Sequence, residues 1–214
     1  MSRHLGGKRT NALELGAGTG IATEAIVPHL TGAYYVATDI SNGMLIHLKR
    51  RELGIPLCQS DAHFLPFRTN VFELTVCCEV LEHLFFSSQA LSEISRCGKV
   101  NGYLFVSTPN KESFYNSGMS KQPIDRWLSP LELKSLLEKA GFYVVKSFTV
   151  YHIPPLLNKL LYFRAWVFSI FHKIRILQLF EGFRSVPFLR NRGLYNIVVC
   201  RKQLRPSSDT DILN

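Results

Sequence analysis

Signals that would take this 214-residue chain out of the globular intracellular class are scarce. Its five cysteines are odd in number and lack metal-site spacing, and adjacent Cys77 and Cys78 on one strand would point to opposite faces. Reduced thiols and no bound metal are therefore expected. Around Arg3, His4, Lys8 and Arg9 no apolar run has the length of a secretory leader, so a cytoplasmic protein is expected. From Leu156 to Phe180 the apolar residues are broken by Lys159, Arg164, His172, Lys173 and Arg175. No window there reaches the roughly twenty uncharged residues of a spanning helix. Internal repeats and low-complexity tracts are missing too. A composition that is 46% hydrophobic suits one domain with one sizeable core.

Acidic residues are nearly absent from one region. Between His152 and Arg205 only Glu181 opposes ten lysines and arginines, whereas residues 1 to 151 are close to neutral. The formal charge of +9 thus belongs to a segment and not to the whole chain. A nucleic-acid partner is disfavoured, because tracking a strand would draw basic residues from the core as well.

What is present begins with Leu13-Glu14-Leu15-Gly16-Ala17-Gly18-Thr19-Gly20, a buried strand running into a turn that only small residues make. Such a turn lets backbone amides approach a ligand, with a helix opening behind it. Asp39 follows about twenty residues later at the end of Tyr34-Tyr35-Val36-Ala37, where an acid can accept both hydroxyls of a ribose. A plain helix-start acid beside Ser41 and Asn42 is the alternative. A third segment, Leu57 to Ser60, ends in Asp61-Ala62-His63, which could set a carboxylate beside an adenine amino group. The glycine spacing is G-x-G-x-G and not the G-x-G-x-x-G of pyrophosphate binders, which weighs against a nicotinamide-dependent oxidoreductase.

Strands are expected at 10–15, 34–38, 56–60, 72–78, 102–108, 143–151 and 194–201, with helices at 19–30, 42–52, 87–97 and 130–140. Alternation of this kind argues for a doubly wound, mostly parallel sheet covered on both faces. Ser129-Pro130-Leu131-Glu132 is a complete helix start, and Gly141 supplies the stop.

Together with Cys77-Cys78-Glu79-Val80-Leu81-Glu82-His83-Leu84 and Gly102 to Asn110, these motifs resemble class I S-adenosylmethionine-dependent methyltransferases. The likeness is to the type 11 small-molecule group, which includes quinone and lipid O-methyltransferases, and it covers roughly residues 10 to 150 plus the last strand. It implies a Rossmann-like seven-stranded fold, and the basic run before the last strand reads from its own residues as a helical insertion. The single domain then divides into a cofactor-binding core (1–151), an insertion or lid (152–192), a last strand (193–202) and a flexible tail (203–214).

The resemblance implies S-adenosyl-L-methionine as cofactor and S-adenosyl-L-homocysteine as product. Gly16, Ala17, Gly18 and Gly20 would meet its methionine part, and Asp39 the ribose. Ile40 and Met44 would pack on the adenine, although Met44 suits a core equally, and Asp61 and Ala62 would form the adenine end. Glu79 and Val80 would offer backbone carbonyls to the methionine ammonium. Glu14 would bond the turn amides or that ammonium, or else be a buried acid that caps the turn. His83 is the candidate base for an acceptor that must lose a proton, weighed against a loop histidine bonding backbone groups; Glu82 would orient local structure. Asn110 and Tyr115 border the expected acceptor pocket.

Two departures from the group's pattern stand out. Strand one begins near residue 10, where the group usually has covering helices first, so a lid must come from elsewhere. Lys99-Val100-Asn101-Gly102 replaces the usual proline and paired glycines, at the end remote from the cofactor. Residues 154–192 interleave Phe163, Trp166, Phe168, Phe171 and Phe180 with bases. That composition reads as an element for an anionic membrane surface or lipid-like substrate, with peripheral attachment at the inner membrane face, or as a lid or homodimer contact. A small-molecule methyltransferase is the leading expectation; a cofactor-binding scaffold or partner-dependent subunit with an incomplete acceptor pocket is the alternative.

Overall fold

A computed structural model describes residues 10–113, 126–151 and 191–204. Seven strands form one sheet: β1 Asn11–Leu15, β2 Tyr34–Asp39, β3 Leu57–Gln59, β4 Phe72–Cys78, β5 Gly98–Pro109, β6 Phe142–Val150 and β7 Tyr195–Lys202. Their order is β3-β2-β1-β4-β5-β7-β6, with β7 antiparallel to both of its neighbours and β1 to β5 paired in parallel. Strand order reverses between β1 and β4, where open sheets of this kind leave a crevice beyond the carboxyl ends.

Alternation along β1 sorts the two faces. Leu13 and Leu15 join α3 (Ser87–Cys97) and α4 (Pro130–Lys139) through Leu91, Ile94, Leu133 and Leu137. Ala12 instead faces the layer that holds Tyr35, Ala37, Leu45 and Leu48, with Ile26 packed against it; these come partly from α1 (Ile21–Ile26) and α2 (Asn42–Lys49). Cys77 and Cys78 divide between the layers in the same way.

The expected elements are all present, with boundaries adjusted for identifiable reasons. Pro28 lacks a backbone donor, and the helix expected to reach residue 30 gives way after Ile26 to a 3-10 turn, Val27–His29. The fifth strand starts at Gly98, four residues early. Asn101 takes a left-handed φ of 63°, and the pairing register shifts between Phe72 and Leu74. The unusual turn before this strand has only that local effect. The helix start at Ser129 forms as read: its hydroxyl accepts the Glu132 N–H at 3.1 Å, while the Glu132 carboxylate accepts the Ser129 N–H at 2.8 Å. Gly141 closes α4 with φ 88°.

Residues up to 190 of the basic segment 154–192, Tyr115 and most of the expected tail lie outside the described residues. Among the described residues no helix is long and apolar enough to cross a membrane.

Candidate active site

The glycine turn after β1 is strapped down by polar contacts from three directions. The Ala17 N–H donates to the Thr38 carbonyl at 2.9 Å, the Gly18 N–H donates to Asp39 Oδ2 at 2.8 Å, and Arg51 Nε donates to the Thr19 carbonyl at 2.6 Å. Arg51 also pairs with Glu24 on α1. Gly18 has φ 55° and open space where a Cβ would stand, so its backbone faces the crevice bare. Gly16 is different: a Cβ there would run into the Val80 side chain. Gly16→Ala is therefore expected to cost about 2–4 kcal/mol by combining a left-handed penalty with overpacking. Chemical denaturation checks this, and adding Val80→Ala should recover the steric share alone.

A cleft of about 680 Å³ opens at this end of the sheet, and its wall brings together most of the residues singled out in the sequence. Gly16, Gly18, Asp39, Ile40 and Met44 form one side; Asp61, Ala62, Glu79, Val80 and His83 form the rest. Besides accepting from Gly18, Asp39 accepts the Ser41 N–H at 2.8 Å through Oδ1, which leaves lone pairs on both oxygens. Asp61 Oδ1 accepts the His63 N–H at 2.8 Å and lies 2.6 Å from His63 Nδ1. The backbone bond from His63 holds that carboxyl below its ordinary range.

Glu79 takes a left-handed φ of 54° immediately after β4. Its N–H donates to the Ser107 carbonyl at 3.0 Å, and its carboxylate accepts the Ser107 hydroxyl at 2.8 Å. Burial pushes Glu79 up to about 7, against a smaller downward pull from Ser107.

Three of the sequence-read acids and glycines stand behind the wall. Glu14 is 1% exposed and accepts the Thr23 hydroxyl at 2.6 Å, which joins β1 to α1; burial raises it above the usual carboxylate range. Gly20 opens α1 and packs against Leu48. Glu82 is 1% exposed in the 3-10 turn Leu81–His83; its carbonyl accepts the Arg126 N–H at 2.9 Å, and its carboxylate lies 3.7 Å from His83 Nε2. Ala17 is buried against the β2 layer, off the wall. Asn110 has a bracing role. Its amide donates to the Asn191 and Gly193 carbonyls at 2.8 and 2.7 Å and its oxygen accepts the Glu112 N–H at 3.0 Å, so it holds chain to chain and has no donor left for an acceptor.

Two features were not legible in the sequence. His63, named in the sequence only as part of Asp61-Ala62-His63, sits in the wall edge-on to Phe86, with Nε2 buried and unpartnered among the described residues. Phe85, exposed by 67%, lines the cleft with Ile40 and Met44, and Phe86, exposed by 67%, stands edge-on to His63 of the same wall. Phenylalanine in a loop carries no signal of where it will face.

The wall has a charge character opposite to that of the chain. Its ionisable side chains are Asp39, Asp61, Glu79, His63 and His83, with no lysine or arginine among the described residues that line it. Phosphate groups would meet carboxylates here, whereas a cationic adenosyl ligand meets complementary charge. Carboxylates at the strand ends, a bare glycine turn among them and this sheet order are the features of a nucleoside-binding Rossmann-like site.

Comparison with known proteins narrows the class. The type 11 methyltransferase domain model matches residues 13–106. A Methanocaldococcus jannaschii protein of unassigned activity is 30% identical over 80% of this chain and 75% of its own length. A "Probable S-adenosylmethionine-dependent methyltransferase" of Mycobacterium tuberculosis is 30% identical over 68% of this chain and 53% of its own. A demethylmenaquinone methyltransferase of Streptomyces avermitilis is 35% identical over 44% and 40% respectively, so the chain spans about half or less of these two relatives. In fold, it is similar to a S-adenosylmethionine-dependent methyltransferase from Archaeoglobus fulgidus, with a TM-score of 0.65, 17% identity, and 91% and 86% of the two chains covered. The chain belongs to the class I S-adenosylmethionine-dependent methyltransferases, and S-adenosylmethionine is the methyl donor its family implies.

Proposed function

We propose that this enzyme methylates a lipid-like small molecule at oxygen, drawing its acceptor from the cytoplasmic surface of a membrane. The observation that carries the reading is a carboxylate-lined cleft, with no lysine or arginine among its described wall residues, that opens beside exposed Phe85 and Phe86. Exposed aromatic clusters of this kind mark surfaces that receive apolar partners. Arg126 supports the same reading, since its guanidinium reaches the Phe85 carbonyl at 3.4 Å and sets a cation beside the rim, as at a lipid headgroup boundary.

Within the cleft, Asp39 would hold the ribose hydroxyls, Asp61 the adenine amino group, and the Gly16–Gly18 backbone the methionine part. S-adenosylmethionine bound there supplies an electrophilic methyl group on a sulfonium. His83 accepts the proton of the acceptor hydroxyl at its imidazole, and the buried Glu82 carboxylate beneath it favours the imidazolium that results. The aromatic rim keeps water from the acceptor's apolar part and fixes the line along which its oxygen arrives.

Calorimetry with S-adenosylhomocysteine tests the cofactor half of the reading. Binding in the micromolar range is expected, and none at millimolar ligand by folded protein would remove it. For the acceptor half, incubation with S-adenosylmethionine and a membrane-lipid extract should yield a methylated apolar product. Product only from the water-soluble extract would overturn the lipid assignment.

A further inference from the structure

A second pocket, of about 370 Å³, shares the 3-10 turn Leu81–His83 with the cleft: Leu81 lines the pocket and His83 lines the cleft. Ser87, Lys111, Arg126, Trp127 and Glu132 stand on the pocket wall. Its charge is the reverse of the cleft's. The cleft carries Asp39, Asp61 and Glu79 with no lysine or arginine among its described wall residues, whereas the pocket sets two cations against Glu132 alone. That acid is already engaged twice, accepting the Ser129 N–H at 2.8 Å and pairing with Lys111 at 2.9 Å. Arg126 has no carboxylate partner among the described residues, and its guanidinium reaches the Phe85 carbonyl at 3.4 Å.

The framework beneath these cations is tied to the turn that carries His83. The Arg126 N–H donates to the Glu82 carbonyl at 2.9 Å, and the Lys111 N–H donates to the Leu128 carbonyl at 3.2 Å beside the bridge between Asn110 and Leu128. The eleven-residue α3 starts at Ser87 on the wall and has no side-chain cap, so the positive end of its dipole adds to the field. Partly buried Trp127 supplies an apolar surface. A guanidinium, an ammonium and an uncapped helix start around one small pocket fit an oxyanion.

We propose that this pocket binds an oxyanion, a phosphate or carboxylate, at one end of the acceptor molecule, and that Arg126 selects acceptors that carry one while their hydroxyl lies at His83. The inference rests on the methyl-transfer reading above and deepens it by giving the acceptor its charge. An acidic end placed in the cleft would meet three carboxylates, and in the pocket it meets two cations. Opposite fields on the two sides of one turn therefore leave the acceptor a single favourable orientation. Arg126 is the stronger grip, because Lys111 is shared with Glu132 and a guanidinium holds an oxyanion through two parallel hydrogen bonds.

The first arm of the experiment needs no acceptor. Trp127 and Trp166 are the two tryptophans of the chain, so emission from the full-length Trp166→Phe protein reports on the pocket wall. Titration with inorganic phosphate should give a saturable change in the millimolar range. Added to this background, Arg126→Gln should weaken it by about tenfold or more, and Arg126→Lys, which keeps the charge, by about threefold at most. S-adenosylhomocysteine affinity should be the same in all three proteins, which establishes that the variants fold. A response reproduced by chloride at equal ionic strength, or unaltered in Arg126→Gln, overturns the proposal. Absence of S-adenosylhomocysteine binding overturns the cofactor reading instead, and the phosphate titration still decides the pocket.

Turnover then identifies the source of the oxyanion. A membrane-lipid extract divided on an anion exchanger should form S-adenosylhomocysteine from its acidic fraction, and Arg126→Gln should raise KM there by about tenfold with kcat changed by less than about threefold. Equal methylation of the neutral fraction, or a fall in kcat with KM unchanged, overturns the assignment. Product from water-soluble phosphate esters alone supports the oxyanion pocket and overturns the lipid reading.

Discussion

Asp39→Ala is expected to weaken S-adenosylhomocysteine binding by about a hundredfold or more, with the sheet still folded. Charge-assisted hydrogen bonds contribute about 1.5–3 kcal/mol each, and two ribose hydroxyls would lose theirs together. The substitution also releases the Gly18 and Ser41 N–H groups, which both donate to this carboxylate at 2.8 Å. The glycine turn is thus loosened at the residue whose bare backbone faces the ligand. Calorimetry on Asp39→Ala and Asp39→Asn separates the two effects, since the amide keeps one acceptor oxygen. Unchanged affinity in Asp39→Ala would take the residue out of the site.

His83→Ala should lower turnover by about 10²–10⁴-fold, the usual range for loss of a positioned base, while S-adenosylhomocysteine affinity changes by less than about threefold. Its side chain is 33% exposed on the cleft wall, so removal leaves no buried cavity. The measurement is S-adenosylhomocysteine formed from the methyl donor with a membrane-lipid extract as acceptor source, beside calorimetry on the same sample. If affinity and turnover fell together, His83 would be a structural part of the turn and not the base.

How far the sequence alone could go depended on the range of each interaction. The Ser129 capping box and the Gly141 stop are local, and they formed as read because every partner lies within four residues. The convergence of Gly18, Asp39 and Asp61 was legible at longer range because each follows a strand, and parallel strands deliver their ends to one rim. Side-chain destinations were not. Asn110 was read as a residue of the acceptor pocket, and its amide instead crosses to Asn191 and Gly193, about eighty residues away. Glu79 was read for its carbonyl; the position of its carboxylate depends on a left-handed backbone and on Ser107 of a neighbouring strand, neither of which has a sequence signature. His63 is set in the wall by Asp61 and Phe86 in the same manner.

The Asn110 brace has an entropic consequence. With Asn110 gripping residues 191 and 193, and Leu194 N–H donating to the Tyr151 carbonyl at 3.2 Å, the chain leaving β6 and the chain entering β7 are clasped to one rigid base. Once the two ends of a connection are fixed, each doubling of its length adds only about 0.6 kcal/mol of closure entropy. Insertions or deletions between 152 and 190 should therefore leave the sheet and its crevice almost undisturbed, making this clasp the point in the architecture where chain length can change at least risk to folding.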